Sequence, residues 1–166
     1  MKLIITKLNE FLSNRFYHIS SREFNEFSLK FVLKGQSINK EGKGIYLSEN
    51  KDFLLNTYKN KRKNYLYTVI INKTLVLIDW NENVSDIIYD RLAALEDNII
   101  DAICSKANRP LTGRYLMHYL KQYDINIEKK LIICGIDGVK FLSEEGIQNY
   151  CIFDPKILQI INREEI

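Results

Sequence analysis

Gly42-Lys43-Gly44-Ile45-Tyr46-Leu47-Ser48, followed by Lys51-Asp52-Phe53-Leu54-Leu55-Asn56-Thr57-Tyr58, is the stretch on which the reading of this chain turns. Glycines on both sides of Lys43 let the main chain approach a neighbour where a side chain would collide. A phosphate-binding loop is excluded, because the G-x-x-x-x-G-K-[ST] spacing is absent and no ligand-binding helix follows immediately. Tyr46 and Tyr58 place one ring just after the glycines and one twelve residues later. Because the chain holds 10 Tyr, each ring reads either as an ordinary core aromatic or as part of a binding slot.

Upstream, Phe16 to Ser20 reads as a short strand carrying His18. Residues 1–14 place Leu3, Ile4, Leu8, Phe11 and Leu12 at helical spacing, which predicts an amphipathic packing helix. Downstream, Tyr65 to Ile71 and Thr74 to Asp79 are β-branched and aromatic runs, and Asn72-Lys73 between them predicts a hairpin. From about Val84 the period changes. Ile87, Ile88, Leu92, Leu95, Ile99, Ile100 and Ile103 recur three and four apart, which predicts one helix ending before Pro110. A second helix is expected from about Thr112 to Gln122. Then come an apolar segment Leu131 to Cys134, a turn at Gly135 to Gly138, and alternating runs at Val139 to Leu142, Tyr150 to Phe153 and Ile157 to Ile161. The pattern is mixed α+β.

Composition agrees with one globular domain over residues 1–166. The 166 residues are 46% hydrophobic and 27% charged, with 2 Pro and 7 Gly, so no linker or low-complexity segment stands out. The N-terminal apolar run, Leu3 to Ile5, is too short for a signal-peptide core or a membrane span, which makes the cytoplasm the expected location. Cys104, Cys134 and Cys151 form no CxxC pair and make no metal-ligand cluster with His18 or His118, so neither disulfides nor structural zinc are expected. A net charge of +3 is too mild to announce nucleic-acid binding. The basic run Lys59, Lys61, Arg62 and Lys63 reads as a solvated turn, or as a contact for phosphates beside the slot.

The 42–58 stretch, together with Tyr17-His18-Ile19-Ser20, resembles the NAD-binding signature of the ADP-ribosyltransferase superfamily. It is similar to the branch containing poly(ADP-ribose) polymerases and diphtheria toxin, in which one strand supplies a His, a second strand a Tyr, and the following helix another Tyr. Pro110-Leu111-Thr112-Gly113-Arg114-Tyr115-Leu116, the segment from Cys134 to Phe141 with its Gly135-Ile136-Asp137-Gly138, and Asn149 to Asp154 resemble the ADP-ribosyltransferase domains of phage polyvalent proteins. The resemblance covers roughly Phe16 to Ile161 through short motifs.

The resemblance implies an α+β fold of the ADP-ribosyltransferase type: two small twisted sheets forming a split core, NAD⁺ in the cleft, and flanking helices. It implies NAD⁺ as co-substrate, with cofactor contacts from His18, Ile19, Ser20, Gly44, Tyr46 and Tyr58. The two tyrosine rings would sandwich the cationic nicotinamide. His18 would hydrogen-bond the adenosine-side ribose, and Ser20 and the Ile19 main chain would meet the nicotinamide amide. The implied activity is mono-ADP-ribosyl transfer to a protein or nucleic-acid acceptor with release of nicotinamide, in a phage effector, an anti-defence protein or a bacterial toxin. A cognate inhibitor or antitoxin is a further implied partner.

One position departs from the family pattern. Where many such transferases carry a glutamate before their late strand, this chain has Asn149. That carboxylate would grip the ribose 2′-hydroxyl and stabilise an oxocarbenium-like transition state. Glu144, Glu145 and Asp137 are the nearby substitutes, with Glu145 preferred, so the expected catalytic set is His18, Tyr46 and Glu145. Asp137, between glycines, also reads as a turn former, and His18 in its strand also reads as a packed structural residue. Two further readings stay open: a catalytically silent module that binds NAD⁺ or a partner, and an NAD⁺ hydrolase.

Overall fold

The computed structural model describes residues 15–31, 40–58, 64–95, 99–106, 111–124 and 126–166. The expected helix over 1–14 and the basic run at 59–63 lie outside them. The described chain is an α+β fold built on one seven-stranded mixed sheet. Its strands are β1 (Arg15–Ser20), β2 (Ile45–Ser48), β3 (Tyr65–Ile71), β4 (Leu77–Asp79), β5 (Gly138–Leu142), β6 (Gln148–Ile152) and β7 (Leu158–Glu165), in the order β4-β5-β6-β2-β1-β3-β7. The helices are α1 (Lys51–Tyr58), α2 (Asp86–Leu92), α3 (Ile99–Lys106), α4 (Gly113–Tyr123) and α5 (Ile127–Ile133).

The sheet is continuous, unlike the two separate sheets expected, yet it has a weak seam. β1 pairs with β3 over six residues and β2 with β6 over four, whereas β1 and β2 share the single register pair Tyr17↔Ser48. Ladder strength grows with the number of paired residues, so this junction is the point where the two halves of the sheet are least held by main chain.

Two apolar clusters flank the sheet. Alternation along β6 and its extension divides them: Cys151 and Phe153 face one cluster and Ile152 the other. The first cluster joins Ile88, Leu92, Leu116, Met117, Leu120, Ile127 and Leu131 of the helices to Ile78 and Val139. The second gathers Phe16, Leu47, Tyr67 and Val69 of the central strands with Phe27.

The expected hairpin between Tyr65–Ile71 and Thr74–Asp79 does not form. β4 is confined to Leu77–Asp79 and pairs in parallel with β5 at the far edge, while β3 lies between β1 and β7. The cause is Asp137. Its carboxylate accepts from Lys73 Nζ at 2.7 Å and from the Val76 N–H at 2.9 Å, and its own N–H donates to Val76 O at 2.8 Å. These contacts capture the segment leaving β3 and carry it across the sheet end.

The single helix expected from Val84 is also interrupted. After α2 the chain tightens, with Leu95 N–H donating to Leu92 O at 2.8 Å, and this three-residue closure turns Leu95 into the core. The chain resumes helical form as α3. The next helix, α4, matches its expected span within a residue. The apolar segment 131–134 is the end of α5 and the residue after it.

Candidate functional site at the sheet junction

The two glycines of the 42–48 stretch are explained by the protein's own chain. A Cβ on Gly44 would lie 2.4 Å from Ile152 O and 2.7 Å from Cys151 Sγ, so β2 can lie against β6 only with glycine there. Gly42 sits at φ 138°, a backbone region that favours glycine, with a Phe153 ring carbon 2.8 Å from where its Cβ would be. The loop is held from beneath by Glu128, a buried carboxylate of α5 that accepts the Lys43 N–H at 2.9 Å. In sequence Glu128 looks like any solvated helix charge, and nothing in its neighbourhood signals this contact.

This loop delivers Tyr46 to β2. Its hydroxyl lies 3.1 Å from Gly42 O and 3.3 Å from Glu41 Oε2, and its ring packs edge-on against Phe141 with centroids 5.9 Å apart. Burial, reinforced by the neighbouring Cys151 and Glu41, pushes the phenol pKa far above its ordinary value. Burial likewise pushes the Cys151 thiol up to about 12, and its Sγ lies 3.6 Å from the same Gly42 oxygen. Both groups remain protonated donors at neutral pH.

Across the seam, His18 Nδ1 lies 2.8 Å from Tyr46 O. A carbonyl only accepts, so Nδ1 carries the proton, and in the neutral imidazole Nε2 is the acceptor. Burial lowers the His18 pKa, opposed by the bond to Tyr46, so the neutral form is favoured. The imidazole is enclosed by aromatic rings: Phe27 edge-on at 5.3 Å, and Phe24 and Tyr67 each at 6.1 Å. Its neighbours belong to the second apolar cluster, whereas the Tyr46 ring packs on the first. The structure therefore brings the His18 ring to the main chain of Tyr46 and keeps the two rings on different packing surfaces.

The remaining expected site residues are distributed around this seam. Ile19 and Ser20 complete β1 half-buried, and Ser20 Oγ accepts the Arg22 N–H at 3.1 Å. Helix α1 leaves β2 after only Glu49 and Asn50. The Asn50 side chain caps it by accepting the Phe53 N–H at 2.9 Å, Lys51 ties it to Glu164 of β7 at 3.2 Å, and it packs against β1. Tyr58 is its last residue and is half-buried.

The carboxylates sort by their partners. Asp137 is buried and committed to Lys73 and Val76, so it serves as a structural clamp rather than the substitute acid considered for it. Glu144 and Glu145 are exposed on the β5–β6 turn, where the Glu145 N–H donates to Ser143 Oγ at 3.2 Å. Asn149 is buried, pairs with Ser48 in register, and donates its side-chain amide to Ile147 O at 3.0 Å. A carboxylate not singled out in the sequence, Glu49, directly follows Ser48 and accepts the Tyr150 hydroxyl. The only sequence signal for it was its place between the Tyr46 strand and the Tyr58 helix. Among the described residues no group of His, Cys, Asp and Glu could hold a metal ion, and no helix is long and apolar enough to cross a membrane.

No protein-family model matches the chain, and no curated protein matches it. Among solved structures, the crystal structure of an anti-CRISPR protein aligns over 92% of this chain and 94% of its own, at 17% identity and a TM-score of 0.36. That likeness is too low to bear on fold or function.

Proposed function

We propose that this protein is a mono-ADP-ribosyltransferase that uses NAD⁺ as co-substrate at the β1/β2 seam of an ADP-ribosyltransferase-type core. One observation carries the reading: His18 and Tyr46, the first two residues of the His-Tyr-Tyr pattern, meet across this seam, and the third lies on the helix that follows. His18 on β1 bonds the main chain of Tyr46 on β2, and the helix that ends in Tyr58 leaves β2 and returns against β1. The seam suits a flat amide-bearing ligand, because β1 and β2 share one register pair and much of their facing main chain is not used in a ladder. The His18 Nε2 acceptor suits a ribose hydroxyl and the Tyr58 ring a cationic pyridinium, whereas the Tyr46 ring, packed edge-on against Phe141 on the other cluster, does not form the expected two-ring sandwich and meets the seam through its main chain.

In the reaction, the bond from the ribose anomeric carbon to the nicotinamide nitrogen breaks with its electron pair leaving on nicotinamide. The anomeric carbon bonds an acceptor nucleophile, which loses a proton. Positive charge develops on the sugar, so a carboxylate near the 2′-hydroxyl favours the transition state over the ground state. Glu145 and Glu49 are the two carboxylates proposed for this role, both near the Asn149 end of β6. The acceptor is a protein or a nucleic acid, and a phage or bacterial effector is the setting in which such an activity serves.

A second reading, the silent NAD⁺-binding module, is favoured by Asn149, whose amide is already spent on Ile147 O. Release of nicotinamide from NAD⁺ by the purified protein, measured with and without bacterial lysate, separates the two. Release that Tyr58→Ala abolishes supports the transferase, whereas NAD⁺ binding without release supports the module. Release of free ADP-ribose regardless of lysate assigns a hydrolase.

A further inference from the structure

Helix α4 buries Gly113, Leu116, Met117 and Leu120, and its opposite face carries Arg114, Tyr115, His118 and Lys121 at helical spacing. That face forms one wall of a half-open cavity of about 470 Å³. Trp80 supplies a second wall. It is fixed at the end of β4 by its N–H donating to Lys140 O at 2.9 Å and its carbonyl accepting the Arg114 N–H at 3.1 Å. Lys40 closes the cavity from the chain leading into the 42–48 loop, and Lys121 Nζ donates to Lys40 O at 2.9 Å, which holds that chain on α4.

The lining is chemically one-sided. Among the described residues the lining holds the cations Lys40, Arg114 and Lys121 and no carboxylate; Glu41 and Glu128, which act on Lys121 without lining the cavity, offset part of that charge and leave Arg114 and Lys40 as the anion contacts. The lining also contains the indole of Trp80 and the phenol of Tyr115, the latter 43% exposed, which favour a flat aromatic group. An inorganic anion would leave the rings unused, and a neutral aromatic would leave the cations unused. The volume falls within the range of small-molecule sites.

We propose that this cavity is a second binding site, separate from the β1/β2 seam, that takes a 5′-nucleotide unit, with the base against Trp80 and Tyr115 and the phosphate on Arg114 and Lys40. The ligand chemistry is shared by a free nucleotide and by one unit of a single strand. The proposal goes beyond the transferase reading and does not depend on it.

Trp80 is the chain's 1 Trp, so its fluorescence reports this cavity alone. The experiment titrates the full chain with AMP, adenosine, inorganic phosphate and a short oligodeoxyadenylate. The site requires saturable quenching by AMP, at least ~5-fold weaker response to adenosine and to phosphate, and at least ~5-fold weaker AMP affinity in Arg114→Gln and Lys40→Gln at unchanged Tm. Tyr58→Ala, outside the cavity, keeps the AMP response. Tighter binding of the oligonucleotide than of AMP assigns the unit to a strand, and equal or weaker binding assigns it to a free nucleotide. Absence of saturable quenching by AMP or oligonucleotide, equal response to phosphate or adenosine, or unchanged affinity in both variants overturns the proposal, whatever the nicotinamide-release assay gives.

Discussion

His18 donates its Nδ1 proton to the main-chain oxygen of Tyr46 at 2.8 Å, and this bond crosses the one place where the sheet is joined by a single register pair. The contact links residues 28 apart in the chain and reinforces the seam where the ladder is thinnest. It makes His18 a structural clasp as well as the proposed ribose contact.

Loss of the clasp has a stability cost. His18→Ala removes one half-buried hydrogen bond and the packing against Phe24, Phe27 and Tyr67, and should cost about 1–3 kcal/mol. Thermal melting checks this, at roughly 2–4 °C per kcal/mol for a domain of this size. An unchanged Tm would show that the seam does not need the imidazole.

The same residue gives stability a pH dependence. Burial lowers the folded-state pKa of His18, so the unfolded chain takes up the proton at higher pH than the folded one. The associated stability is therefore fully present above the unfolded value of 6.5 and is lost progressively as pH falls from there through the lower folded-state value. Melting followed downward from pH 7.5 should show a decline in wild type that is shallower in His18→Ala. Parallel curves would mean that His18 titrates alike in both states.

Gly44→Ala tests the loop. A Cβ 2.4 Å from Ile152 O must force β2 away from β6, and the variant should lose about 2 kcal/mol or more. Gly146→Ala is a comparison at a site with nothing within 4 Å of the Cβ, where the cost comes from φ 76° alone. Denaturant unfolding that ranks Gly146→Ala as the more damaging change would contradict the packing explanation.

Much of the fold was legible in the sequence because it rests on local pattern. β1, β3, β5, β6 and the helix α4 follow from alternation and helical spacing. The partner of β4 was not legible, because it is chosen by the Asp137 side chain capturing Val76, 61 residues away. The break after α2 depends on how Leu95 meets the core rather than on any Gly or Pro. At the site, Gly44 announced a close approach without revealing that its neighbour is the Ile152 carbonyl. Glu49 went unnoticed because its meaning depends on the Ser48↔Asn149 register, which is a tertiary fact.

The carboxylates divide by function. Asp137→Asn should lower Tm, because the ion pair with Lys73 at 2.7 Å is weakened, and should leave activity per folded molecule unchanged. Glu145→Gln and Glu49→Gln separate the proposed catalytic roles. The variant that removes the working acid should lose about 10²-fold in transfer with NAD⁺ affinity nearly intact. Steady-state kinetics beside binding measurements reads this split, and full activity in both variants would remove both residues from the mechanism.

Transfer of ADP-ribose from NAD⁺ is read out by incubating the protein with NAD⁺ labelled in its adenylate half and with bacterial lysate. The expected result is label in a macromolecule, protein or nucleic acid, together with an equal amount of released nicotinamide, and loss of both in Tyr46→Ala and Tyr58→Ala. No label and no nicotinamide from wild-type protein, at concentrations where the lysate's own acceptors are in excess, would contradict it.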